Sequence, residues 1–129
     1  MPDSFTHMKL LDVKDSAAEF GYGEIQEARF AKGDLGAAQT GITHQRLKPK
    51  QRSPFGHKHE SAEEVYVVLT GSGRMKLDEE IIEVEALDAI RVSPEVTRAF
   101  EAGPDGLEVL AVGARHDGDG EIFPGWWSD

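Results

Sequence analysis

The feature that most constrains this chain is a succession of short apolar runs between residues 39 and 112, none longer than the five residues 65–69, each closed by a Gly, Pro or acidic turn. Amphipathic helices need several turns of 3.6-residue periodicity, and these runs do not sustain it. Helical patterning is confined to residues 16–20 and 23–30, which are interrupted by Gly or too short. The rest reads as strands. In residues 40–48, Thr43, Gln45 and Leu47 share one face while His44, Arg46 and Lys48 share the other, the alternation of a half-buried strand. His44 is therefore expected at the surface and Gln45 inside. Residues 65–69 form a continuous β-branched and aromatic run, typical of a strand covered on both faces. Gly71-Ser72-Gly73 reads as a hairpin turn that returns through residues 74–77. Strands are expected over 81–84, 86–92, 96–100 and 107–112, with a break at Ser93-Pro94-Glu95 and a turn over 101–106. Such spacing, about 8–12 residues from strand to strand, predicts an all-β sandwich or barrel with little helix.

Length and charge narrow the possibilities. At 129 residues the chain is expected to form a single domain, residues 1–129, with no interior linker or repeat. The absence of cysteine excludes disulfides, thiolate metal sites and a Cys nucleophile. A net charge of −10, with basic residues scattered, argues against a nucleic-acid partner. No secretory leader or membrane-spanning run is legible, so a soluble, cytoplasmic protein without a membrane partner is expected.

Chemistry concentrates in residues 56–71. His57 and His59 lie two apart, so on a strand both imidazoles point to one side at about 7 Å spacing. Glu64 follows His59 by five positions, an odd offset that puts it on the opposite face unless the chain bends at residues 60–62. With that bend, two imidazoles and a carboxylate form a ligand set for Fe, Mn, Ni or Zn with open positions for substrate or water. Glu63 competes with Glu64 for the carboxylate role.

The segment His57-x-His59-x4-Glu64-x6-Gly71 resembles the first motif of the cupin superfamily, Gly-x5-His-x-His-x3,4-Glu-x6-Gly, with the leading Gly displaced to Gly56. The spacing to Gly71 favours Glu64 over Glu63. The resemblance covers residues 39–112 and extends, through Pro54-Phe55-Gly56 and the Pro-Gly-Trp-Trp tail, to small single-domain bacterial cupins of unassigned function. It implies a double-stranded β-helix of six to eight strands, a homodimer, and a divalent transition metal inside the barrel. Residues 39–112 would form that barrel, and the N-terminal segment and aromatic C-terminal tail would pack on it.

The second cupin motif is where the chain departs. Ser93 stands at its Pro, Glu95 at its Gly, Arg98 at its His and Ala102 at its Asn. The fourth usual ligand is thus replaced by Arg98, so the metal itself is in question. A guanidinium about 6 Å from a divalent ion is repelled by roughly 5 kcal/mol at an effective dielectric of 20. Arg98 therefore either pairs with Glu64 in a metal-free pocket, or turns to the mouth and binds an anionic substrate beside a three-residue metal site, or faces solvent.

Other candidates are Gln45, expected to bind a pocket ligand; Tyr66 and Glu63, expected to handle a proton; and Phe100, Phe123, Trp126 and Trp127, expected in the core, a dimer contact or a lid. Asp117-Gly118-Asp119-Gly120 reads as a loop. The functional expectation is a metal-binding cupin that takes a small polar or anionic organic ligand, with dioxygenase or isomerase chemistry if it is an enzyme. The alternatives are a metal-free binding or sensing module organised by the Arg98/Glu64 pair, and a structural homodimer.

Overall fold

The computed structural model describes residues 4–114 and 119–127; Asp117 and Gly118 of the expected loop lie outside them. Eight strands make up one curled antiparallel sheet: β1 (Gln26–Phe30), β2 (Thr40–Leu47), β3 (Phe55–His59), β4 (Glu64–Leu77), β5 (Glu80–Glu85), β6 (Ala89–Val92), β7 (Arg98–Ala114) and β8 (Gly120–Pro124). Neighbours run β1-β2-β7-β3-β8, and β4 joins this path through β7 while also pairing β5 and β6. Helix is limited to α1 (Lys32–Leu35) and two 3-10 turns, Leu10–Asp12 and Ala18–Phe20. The all-β double-stranded β-helix is the fold found. Among the described residues no helix is long and apolar enough to cross a membrane.

The two long strands, β4 and β7, carry the architecture, because they pair from Leu77↔Arg98 to Glu64↔Gly113. Their register slips between Gly71/Leu107 and Gly73/Ala102, where residues 103–106 oppose Ser72. This corrects two sequence expectations: 71–73 is not a hairpin turn, and 101–106 is not a turn between strands. Both belong to one bulge. Glycine inside a strand marks a bulge or a close backbone approach as readily as a turn, and here it marks both. A Cβ on Gly73 would lie 2.0 Å from the Glu101 carbonyl oxygen, and Gly71 adopts φ +82° with the Gly106 oxygen at 2.1 Å from where its Cβ would be. The helix expected over 23–30 is corrected as well. Residues 26–30 are strand β1, paired in register with β2 from Gln26↔Leu47 to Phe30↔Thr43. Local helix preference in Gln-Glu-Ala-Arg is weak, and an open strand edge overrides it.

Inward side chains of these strands make the core: Leu47, Tyr66, Val68, Met75, Val84, Val92, Phe100, Ala102, Leu107, Val109 and Ala111. Phe100 packs edge-on against Tyr66 with ring centroids 5.3 Å apart, so the base of the site rests on the barrel interior. The C-terminal segment closes the outer edge. β8 pairs residue for residue with β3, from Phe55↔Pro124 to His59↔Gly120. Trp126 then lies against Gly56, where a Cβ would meet its ring at 2.6 Å, which accounts for the displaced glycine. Lys76 donates to the Trp126 carbonyl oxygen at 2.8 Å and lies 4.4 Å over the same ring. Arg52 and Arg74 stack over Trp127 at 4.7 and 5.4 Å.

Candidate metal centre

His57 and His59 project from one face of β3, as two-residue spacing requires. Their strand ends at His59, and residues 60–62 make the bend that brings Glu64, the first residue of β4, to the same side. Asp119 builds that bend. Its side chain, 5% exposed, accepts from the backbone N–H groups of Glu60 (2.8 Å), Ser61 (2.8 Å) and Ala62 (3.0 Å). The Asp119 carbonyl oxygen accepts a further bond from Glu60 N–H at 3.1 Å. The same carboxylate lies 3.4 Å from His59 Nδ1, opposite the nitrogen that faces the centre.

Donor atoms of His57, His59 and Glu64 all lie within 4.8 Å of one another. Glu64 Oε1 is 3.4 Å from His57 Nε2 and 3.1 Å from His59 Nε2. Ligands about 2.1 Å from a shared ion at angles of roughly 90–110° stand about 3.0–3.4 Å apart, the separation that both histidine–Glu64 pairs show, and the residue types suit a first-row divalent cation. Tyr66 donates its hydroxyl to the same Oε1 at 2.7 Å and sits 3.4 Å from His57 Nε2.

The electrostatics follow from who faces Glu64. Burial alone would raise its pKa, but hydrogen bonds from His57, His59 and Tyr66 together outweigh burial and hold the carboxyl far below the usual carboxylate range. It is an anion at neutral pH. Tyr66 moves the other way: burial and the adjacent Glu64 charge push the phenol well above its ordinary value, so it keeps its proton and donates. Asp119 is held low: partial burial opposes this, but the N–H groups of Ser61, Ala62 and Glu60 prevail.

Arg98 is fully buried, which removes the solvent-facing alternative. Its Nη1 donates to the Val96 carbonyl oxygen at 2.9 Å and more weakly to those of Pro94 (3.4 Å) and His57 (3.5 Å). Its Nη2 stands 3.6 Å from Glu64 Oε1. The guanidinium therefore lies behind the ligand cluster, outside the lining of the cavity, and direct contact with substrate is corrected to a contact with Glu64 and backbone. In the strand register Arg98 begins β7 between two neighbours, His57 of β3 and Leu77 of β4.

The His57/His59/Glu64 cluster opens into a cavity of about 450 Å³ lined from β1, β2, β3, β4, β7 and β8. That volume lies in the range of about 300–1,000 Å³ that encloses small organic ligands. Gln45 lines it, with Thr43 from the same face of β2. Glu63 does not: it is exposed, 3.2 Å from Arg91 Nη1, and is corrected from a proton handler to a surface ion pair. His44 is the reverse case. It is 3% exposed, with Nε2 2.6 Å from Glu108 Oε2, so its expected exposure is corrected. The face it occupies is polar but covered by the neighbouring strands, and Glu108, which also accepts from Arg46 Nε at 3.0 Å, pairs with it.

Sequence reading missed Asp119 and Gln26. Asp119 was legible only as part of a Gly-rich loop, with no signal that it reaches residues 60–62. Gln26, 7% exposed on the wall of the cavity, was hidden by the mistaken helix.

Comparison with known proteins agrees with this geometry. The family model for the cupin domain matches residues 43–113, more than half of the chain. An uncharacterized protein of Methanocaldococcus jannaschii is 42% identical over 45 residues, which span 35% of this chain and 36% of that protein, so the match takes in about a third of the relative's length. Among solved structures, a cupin protein of Bacteroides fragilis superposes with TM-score 0.71 at 21% identity, covering 91% of this chain and 89% of that one. The polyketide cyclase RemF of Streptomyces resistomycificus superposes with TM-score 0.75 at 22% identity, covering 96% and 87%. With its strand order, its His57/His59/Glu64 cluster and a family match across the barrel, the chain belongs to the cupin family.

Proposed function

We propose that this cupin holds a divalent transition metal (Fe, Mn, Ni or Zn) with His57, His59 and Glu64 and presents it to a small organic molecule bound in the barrel. The observation that carries this reading is the convergence of two Nε2 atoms on one carboxylate oxygen, at 3.4 and 3.1 Å, on the floor of a cavity. A bound ion would supply Lewis acidity toward a carbonyl or enolate oxygen, or a template for O2, the chemistry of isomerase- and dioxygenase-type enzymes. The chain's own residues do the rest. Glu64 stays ionised and Tyr66 stays protonated, so an anion and a proton donor stand 2.7 Å apart beside the ligand space. Asp119 stands 3.4 Å behind His59 Nδ1 and, through the N–H groups of residues 60–62, holds the bend that brings Glu64 to the histidines. As part of the same reading the protein is a homodimer, supported by exposed apolar side chains such as Phe20 and Leu87 and tested by light scattering.

Thermal unfolding tests the metal. In excess EDTA, then with each ion at about 100 times its dissociation constant, the midpoint is expected to rise by roughly 10 °C, equivalent to about 2.7 kcal/mol. An unchanged midpoint with all four ions contradicts the proposal.

One observation favours a second reading. Arg98, 3.6 Å from Glu64, already compensates the carboxylate, and three side chains already bond it. A metal-free binding module predicts no response to any ion, together with a large loss of stability when Arg98 is removed.

A further inference from the structure

The cavity-facing sides of β1 and β2 carry two glutamines whose amides the fold leaves unused. In register, Gln26 stands opposite Leu47 and Gln45 opposite Ala28. The two are therefore diagonal neighbours on adjacent strands, about 7–8 Å apart at Cα. Both line the cavity. Gln26 is 7% exposed, and no hydrogen bond to its side-chain amide is found among the described residues. On the outer face of the same strands the polar side chains are engaged: Arg29 with Glu27 at 2.6 Å, and His44 and Arg46 with Glu108 at 2.6 and 3.0 Å. A buried amide without partners costs free energy, which a bound molecule that supplies them offsets.

What the pair recognises follows from its chemistry. Each side chain presents an N–H donor and a carbonyl acceptor side by side in one plane. A group that satisfies both glutamines must likewise donate and accept from adjacent atoms. A carboxamide or a lactam does so: its N–H meets the carbonyl of one glutamine while its own carbonyl accepts from the NH2 of the other. A carboxylate only accepts, so it would take both NH2 groups and leave both glutamine carbonyls without a donor. The wall beside Gln26 sets the rest of the molecule. Tyr22, whose carbonyl accepts from the Gln26 backbone N–H at 3.1 Å, meets Phe55 edge-on with ring centroids 5.9 Å apart, and Phe55 lines the same cavity. An aromatic surface thus stands at the Gln26 end, where it can cover the apolar body of a ligand whose polar edge the glutamines hold.

We infer that Gln26 and Gln45 together form a recognition site on the cavity wall for the carboxamide or lactam edge of a small aromatic ligand. This deepens the ligand half of the reading above and rests on it, but the site is built from residues outside the candidate metal cluster and needs no bound ion.

Benzamide and acetophenone test it, since they differ only in an amino for a methyl group. Isotope-labelled full-length protein in excess chelator is titrated with each, and with benzoate, and dissociation constants are read from backbone amide shifts. Benzamide is expected to bind roughly three- to tenfold more tightly than acetophenone, the scale of one neutral hydrogen bond, and more tightly than benzoate. A merely apolar cavity gives the reverse order, because the ketone is the more apolar probe. Gln26→Leu and Gln45→Leu are each expected to erase the preference for benzamide. Gln26→Leu is also expected to keep or raise the urea midpoint, since an unpartnered amide gives way to an apolar group of similar size. Equal or tighter binding of acetophenone or benzoate to the native chain, saturable binding of none of the three, or a preference that survives both substitutions overturns the inference. So does a fall in the midpoint of Gln26→Leu with the preference intact, which assigns the amide to the fold. With no ion present throughout, these outcomes leave the metal reading standing, and a failure of metal binding leaves the glutamine site standing.

Discussion

At the scale of single residues, Glu64 is the centre of the site, because His57, His59, Tyr66 and Arg98 all face its carboxylate. Its pKa is depressed in the fold, so it contributes stability that is present above its ordinary value near 4.5 and is lost as pH falls below it. Glu101, lowered chiefly by its bond from Arg74, and Glu108, where His44 and Arg46 outweigh burial, add in the same direction. The urea midpoint of chelated protein is therefore expected to fall steadily from pH 5 to pH 3, and the fall is expected to be shallower in Glu64→Gln. Tyr66→Phe removes one donor to a charged acceptor and is expected to cost about 2 kcal/mol in chelator, read from denaturant unfolding. Arg98→Leu separates two consequences. Breaking a buried pair from one side costs about 3 kcal/mol or more in the metal-free protein. Removing a positive charge 3.6 Å from a ligand oxygen is at the same time expected to tighten metal binding, measured by competition with a chromogenic chelator. The clustering of His57, His59 and Glu64 was legible in the sequence, because His-x-His fixes a strand face and the five-residue offset to Glu64 demands a bend. The placement of Arg98 was not, since nothing local tells whether an inward arginine reaches the cavity or stops behind it.

At the scale of elements, the bend at 60–62 and the bulge between β4 and β7 decide whether the site exists. Asp119 ties three N–H groups of the bend and stands behind His59. Asp119→Ala is expected to weaken metal affinity about 10- to 100-fold, with Asp119→Asn intermediate, by the same competition assay. The bulge is as exacting. Gly73→Ala forces a methyl against the Glu101 carbonyl, which belongs to the partner strand and cannot step aside, so a loss of about 2–3 kcal/mol is expected in urea unfolding. These are also the places where sequence reading stopped. Gly71-Ser72-Gly73 reads alike as turn and as bulge, because glycine serves both by the same conformational freedom. Strand β1 was misread because its residues favour helix weakly while its pairing with β2 is a tertiary fact. Asp119 acts across a separation of 57 to 59 residues, and His44 with Glu108 across 64, distances over which local pattern carries no information.

At the scale of the whole molecule, the fold was the most legible feature, since short strands with turn residues at regular spacing leave few alternatives to a curled antiparallel sheet. The barrel then brings His57, His59 and Glu64 onto one floor, while β8 and the Trp126 contact on Gly56 hold β3 from outside. The candidate metal centre, the cavity and the tail are thereby joined through β3, so ion binding is expected to protect β3 and β8 backbone amides from hydrogen exchange together, above the protection of the β5 edge. The most direct test of the central claim is metal stoichiometry. Untagged protein, stripped with chelator, equilibrated with Mn, Fe, Ni or Zn and freed of excess ion by gel filtration, is assayed by plasma mass spectrometry beside the His57→Ala/His59→Ala variant. About one equivalent of at least one ion is expected in the native chain and less than about a tenth in the variant. Little or no ion in the native chain, or equal amounts in both, would contradict the central claim.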